Sequence, residues 1–193
     1  MTVVDARALN WRFILPAEPE DPVVLDRGAA ASHSRLADAL TGAPWPAIVV
    51  PDLTVWTVAT SPRTVLRELA EAVTPDGWLC IGFPNRWLPR PSRGAIGVRA
   101  ATSTLGAAGV HPESLYLPLP DHRRPALLVD AQHPGQLNHV FRHAFLSYLP
   151  GASVSAWLGR RLLVAARTVA IRVPQDVRVR LAPAYYVIGR RSP

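Results

Sequence analysis

Residues Asp52 to Phe83 read DLTVWTVATSPRTVLRELAEAVTPDGWLCIGF, a pattern of strand, capped helix, tight turn and strand. Ser61 ahead of Pro62 supplies an N-cap and a proline at the first helical position, where its missing N–H costs nothing. Val65, Leu66, Leu69 and Val73 then recur at helical spacing, while Arg63, Arg67, Glu68 and Glu71 stay on the solvated side. Such a one-sided helix needs a sheet to cover. Thr74-Pro75-Asp76-Gly77 has the proline and glycine of a four-residue turn, and Trp78 to Phe83 is the apolar run of a buried strand. The unit reads as βαβ.

On the N-terminal side, residues 1–22 mix apolar pieces (Leu9, Trp11, Phe13) with the acidic, proline-rich AEPEDP, the pattern of an ordered arm followed by a loop. Val23-Val24-Leu25-Asp26 is a short strand ending at an acid. The small-residue stretch Arg27 to Ser32 predicts a turn, and Ser34 to Leu40 a helix. Strand, small-residue turn, helix is the plan of a nucleotide-binding loop. Ala47 to Val50 is a further strand leading into Asp52.

Taken together, VVLD, the small-residue loop, DLTVW and SPRTVLRELAEAVTPDGWLCIGF resemble class I S-adenosylmethionine (SAM)-dependent methyltransferases. The resemblance extends loosely to GAAGVHPESLYLPLP, as a helix end and strand, and to LAPAYYVIGRR, as the last, antiparallel strand. It implies an α/β three-layer sandwich, a reduced Rossmann-like fold with a mostly parallel sheet and a helical insertion near residues 135–172. One domain over residues 1–193 is expected, with 1–22 as its arm.

Two departures from that family bear on function. Its first loop reads Asp-x-Gly-x-Gly-x-Gly, whereas these positions hold Asp26, Gly28, Ala30 and Ser32, and the missing glycines oppose close backbone approach to a cofactor. Only 23 residues separate Gly28 from Asp52, where the family places two further strands. One of them normally ends in the acid that holds the ribose hydroxyls. Asp52 takes that role if the intervening strand is the second one, but its continuation into TVWTVATSPRTVLREL favours the later strand. The resemblance thus implies Asp26, Gly28 and Asp52 as the cofactor positions, with SAM as the cofactor, while the deletion and the altered loop point to no cofactor. Removing two strands also makes Val23 to Asp26 a sheet edge, open to the arm, a second copy or a different subunit.

Beyond Phe83, the loop Asn85-Arg86-Trp87-Leu88-Pro89-Arg90-Pro91 lies past a strand's carboxyl end, where open α/β sheets bind ligands. Asn85, Arg86 and Trp87 are the substrate-binding candidates, against a reading in which Trp87 anchors the loop. Ala95 to Ala108 predicts a small-residue helix ended by Gly109, and Leu115, Leu117 and Leu119 a half-buried strand. Residues 118–152 hold the titratable candidates Asp121, His122, His139 and His143, suited to acid or base work near neutrality. His139 and His143 share a helical face at i, i+4, but a third metal ligand at recognised spacing is absent, so no metal is expected. Residues 153–173 read as a helix whose arginines either snorkel from the core or face a membrane surface or acidic peptide.

The formal charge of +7 comes from arginine alone, since the chain has no lysine. Residues 1–85 hold 6 Arg against 10 Asp and Glu (net −4), and residues 86–193 hold 15 against 4 (net +11). The basic half has no nucleic-acid recognition motif, so that partner class is disfavoured. The single cysteine, Cys80, sits in an apolar strand and excludes an internal disulfide. With neither a signal-peptide pattern nor a membrane-length apolar run, a cytoplasmic protein is expected. The functional expectation is a methyltransferase-like protein without SAM binding, serving a small-molecule or peptide-modifying biosynthetic pathway as a non-methylating enzyme or partner subunit. The alternatives are an active minimal methyltransferase and a non-catalytic module that binds an acidic peptide or protein.

Overall fold

A computed structural model describes residues 12, 14–15, 22–33, 35–87, 94–119, 122–123, 125, 127–139, 172, 174–180 and 182–193. In chain order its elements are β1 (Val23–Val24), α1 (Arg27–Ser32), α2 (Leu36–Ala39), β2 (Trp45–Val50), a 3-10 turn (Leu53–Trp56) and α3 (Pro62–Glu71). There follow β3 (Val73–Pro84), α4 (Val98–Ala107), β4 (Val110–Leu119), β5 (Leu127–Asp130), α5 (Pro134–His139), α6 (Gln175–Arg180) and β6 (Ala184–Arg191).

The strands form one mixed sheet in the order β1-β2-β3-β6-β4-β5. β1, β2 and β3 are mutually parallel. β6 inserts antiparallel between β3 and β4, and β5 returns antiparallel along β4. Four strands therefore run one way and two the other. The expected late antiparallel strand is β6. The β4–β5 hairpin was not expected, and β1 lies at the sheet edge.

The α3 helix begins as its sequence dictates, with the Ser61 hydroxyl accepting from the Thr64 N–H at 3.2 Å and Pro62 opening the first turn. Val65, Leu66, Leu69 and Ala70 are buried along its inner face. Each large side chain so buried adds about 2 kcal/mol. Val73, predicted on the helix face, instead opens β3. The predicted Thr74–Gly77 turn survives as a bulge inside that strand: Val73 pairs with Trp45 and Trp78 with Ala47, so β3 spends the extra residues there. Asp76 carries a φ of 61°, which lets the chain double back within the bulge.

Two sequence expectations are corrected. Arg27 to Ser32 is a helix rather than a turn, because Asp26 caps it by accepting from the Ala29 N–H and three alanines follow. Leu53 to Trp56 is a 3-10 turn rather than a strand, because the Asp52 side chain accepts from the Thr54 N–H and closes the backbone locally.

Alternation along the strands sorts the core onto the two faces. Ile48, Val50, Leu79, Ile81, Phe83, Tyr185 and Val187 meet the α1–α4 side, while Val49, Cys80, Tyr186 and Ile188 pack with Ile14 of the N-terminal arm on the other. Burial pushes the Cys80 thiol up to about 12, as befits an inert core residue. Strand β3 runs close to the chain leaving β2, since a Cβ on Gly82 would overlap the Pro51 carbonyl. Apart from α5 and Arg172, the expected insertion near 135–172 lies outside the described residues. Among the described residues, no helix is long and apolar enough to cross a membrane.

Candidate functional site

The carboxyl ends of β2 and β3 lie side by side at one edge of the molecule, and each carries charged groups. Past β2, Asp52 is held in place by its own 3-10 turn. Its Oδ1 accepts from the Thr54 N–H at 3.1 Å and from the Thr54 hydroxyl at 2.5 Å. The loop after β4 brings two more partners: His122 Nε2 lies 3.0 Å from Oδ1, and Arg123 Nε donates to Oδ2 at 2.8 Å. Arg27, just past β1, stands 3.8 Å from Oδ2. Burial works to raise the Asp52 pKa, but the hydrogen bonds from His122 and Thr54 and the His122 and Arg123 charges outweigh it, holding the carboxyl well below its usual range.

The same loop is pinned from the sheet, where the Tyr186 hydroxyl donates to the His122 carbonyl at 2.6 Å. Only 5% of the His122 side chain is exposed, and its Nδ1 has no hydrogen-bond partner. The arrangement orients an imidazole against a carboxylate but seals both from solvent. Next to it, Trp56 of the 3-10 turn donates its indole N–H to the Leu25 carbonyl at 3.1 Å, filling the space beside the end of β1.

Past β3 the arrangement is reversed. Asn85 is buried and wholly engaged: its amide nitrogen donates to the carbonyls of Arg180 at 2.6 Å and Ala182 at 2.7 Å and to the Tyr185 hydroxyl at 2.9 Å, while its oxygen accepts from the Trp87 N–H at 3.1 Å. Burial raises the Tyr185 pKa against the opposing bond from Asn85, and its hydroxyl in turn donates toward the carbonyls of Val179 and Arg180. Asn85 thus ties the β3 exit, the start of β6 and the end of α6 into one corner.

A cleft of about 790 Å³ opens over that corner, a size suited to a small molecule. Arg86, Trp87, Val98, Arg99, Val177 and Arg180 wall it, with Tyr185 in its floor. Trp87 is 74% exposed, and its indole nitrogen lies 3.7 Å from where a Cβ on Gly97 would stand, beside the first turn of α4. Arg180 faces Asp176 at 3.7 Å, whereas Arg86 and Arg99 have no ion-pair partner among the described residues. Among the described residues, no Asp or Glu lines the cleft.

The structure distributes the sequence candidates unevenly. Asp52 and His122, expected in separate cofactor and catalytic roles, meet in one hydrogen-bonded pair. Asp26 caps α1, and Gly28 lies in that helix, exposed. Arg86 and Trp87 reach the cleft, while Asn85 supports it from beneath. His139, on α5, lies near Leu127 and Val129, away from both places. Asp121 and His143 lie outside the described residues. Arg123, Arg99, Arg180 and Tyr185 were missed as site residues; the excess of arginine after residue 85 was a signal for the three arginines, and none marked Tyr185. Among the described residues, no three His, Cys, Asp or Glu side chains converge as a metal site. No protein-family model matches the chain, and no curated protein matches its sequence.

Proposed function

We propose that this chain is a methyltransferase-like protein that does not use SAM and works through the arginine-lined cleft past β3. Its setting is a small-molecule or peptide-modifying biosynthetic pathway, in which it serves as a non-methylating enzyme or as the partner subunit of one. As a subunit it offers β1, at the sheet edge, for pairing with a second copy or a different chain.

The observation that carries this reading is the state of Asp52. A carboxylate that is to hold ribose hydroxyls must have free acceptor capacity and face open space. Asp52 offers little of either: Oδ1 accepts from three donors, Oδ2 accepts from Arg123 with Arg27 at 3.8 Å, and the side chain is 7% exposed. The neighbouring features oppose SAM as well. The stretch in the place of the glycine loop is helix α1, and Trp56 occupies the end of β1. The residues at the end of β1 and around Asp52 do not fit the cofactor.

Calorimetric titration of the purified chain with SAM and with S-adenosylhomocysteine tests the reading. No saturable binding is expected. Stoichiometric binding of either compound would overturn it.

A further inference from the structure

We infer that the cleft past β3 binds a small molecule with a flat apolar body and an anionic head, a carboxylate or a phosphate. The inference rests on the reading that this cleft, rather than the end of β1, is the working site.

The charge of the cleft sets the sign of the ligand. Three arginines from different parts of the chain line it: Arg86 from the β3 exit, Arg99 from the first turn of α4 and Arg180 from the end of α6. Like charges that share a cleft repel one another, and an anion bound among them relieves that repulsion. Arg180 has Asp176 beside it, at the border of an adjoining hollow that Arg99 also lines, whereas Arg86 and Arg99 have no ion-pair partner among the described residues. An incoming anion completes the set, and guanidinium forks suit carboxylate and phosphate oxygens alike. The ten-residue α4 also begins at this wall with no side chain capping Gly97, which adds a favourable dipole to the arginines.

The rest of the wall sets the body of the ligand. Val98, Ala100 and Val177 are apolar, and Trp87 presents an indole that is three-quarters exposed at the rim. Trp87 is held at its backbone by Asn85, and its indole nitrogen lies near the start of α4. An exposed indole beside cationic groups stacks a flat ring whose anionic end reaches the arginines.

The test is titration calorimetry with naphthoate, naphthyl phosphate and uncharged naphthamide, which share one body and differ in the head. At least one anion is expected to bind about tenfold tighter than the amide, a difference of about 1.4 kcal/mol. Which anion wins separates a carboxylate from a phosphate ligand. Arg86→Glu and Arg99→Glu, both at exposed positions, are each expected to weaken the anion about tenfold and leave the amide unchanged. Trp87→Ala weakens all three probes. Equal binding of the amide and both anions, binding indifferent to both arginine reversals, or no binding of any probe would each overturn the inference. The parent reading fails separately: SAM binding defeats it whatever the probes do, and silent probes leave it standing.

Discussion

The ends of β2 and β3 are neighbours in the sheet, yet they treat charge in opposite ways. Past β2, a carboxylate is sunk in the protein and satisfied by four donor groups from its own turn and from the loop after β4. Past β3, two arginines stand at an open cleft with no counter-ion among the described residues. A charge whose partners are all internal holds the fold together and has little left to offer a ligand. A charge left without an internal partner contributes little to stability and is free to recognise something. The contrast marks the end of β2 as structural and leaves the end of β3 as the one with charge to offer a ligand.

The largest expected effect falls on the closed end. Asp52→Ala strands His122 and Arg123 and removes the cap of the 3-10 turn. We expect a loss of about 3 kcal/mol in urea unfolding, the lower part of the range for a broken buried pair because Arg123 is 47% exposed. A loss within the error of the fit would erase the contrast between the two ends.

Asn85→Ala comes next, with an expected loss of about 2 kcal/mol, since it removes a buried amide and leaves the carbonyls of Arg180 and Ala182 without it. This variant also frees Trp87 and the end of α6. Anion binding in the cleft should therefore fall with stability, a coupling that no arginine variant shows. Intact probe binding in a destabilised Asn85→Ala chain would separate the corner from the cleft.

Acid should act on the closed end alone. The folded Asp52 carboxyl has a pKa below its unfolded value, so between the two values the unfolded chain binds more protons and stability rises with pH. Its contribution is complete well above the unfolded value of about 3.9 and is lost as the pH falls below it. Urea midpoints followed from neutrality into the acid range should drop more steeply for the parent chain than for Asp52→Ala. Parallel profiles would mean that the carboxylate's partners do not favour its charged form.

The smallest effect on stability belongs to the open end. Arg86→Glu and Arg99→Glu should each shift unfolding by less than about 0.5 kcal/mol. A loss as large as that of Asp52→Ala would show that these arginines are part of the scaffold.

Much of the scaffold was legible from local signals. Ser61-Pro62 announced the start of α3 and the apolar periodicity its buried face, while the antiparallel run of LAPAYYVIGRR was implied only by the family resemblance. The misreadings were local as well. The turn expected at Arg27–Ser32 and the strand expected at Leu53–Trp56 are both helical, because the short acidic side chains of Asp26 and Asp52 cap the backbone just after them. The site was harder to read. Asp52 and His122 are 70 residues apart, and nothing in either neighbourhood names the other. Asn85, a candidate for binding substrate, turned out to bind the protein's own carbonyls.

The sequence by itself determined the kind of elements, most of their order along the chain and the uneven distribution of arginine, because caps, turns and periodicity act over a few residues. Only the tertiary structure decided which charges are spent and which remain. Pairing across the sheet brings the loop after β4 onto Asp52 and turns the ends of β3, α4 and α6 toward one cleft, and burial and partnership are properties of that assembled geometry rather than of any segment.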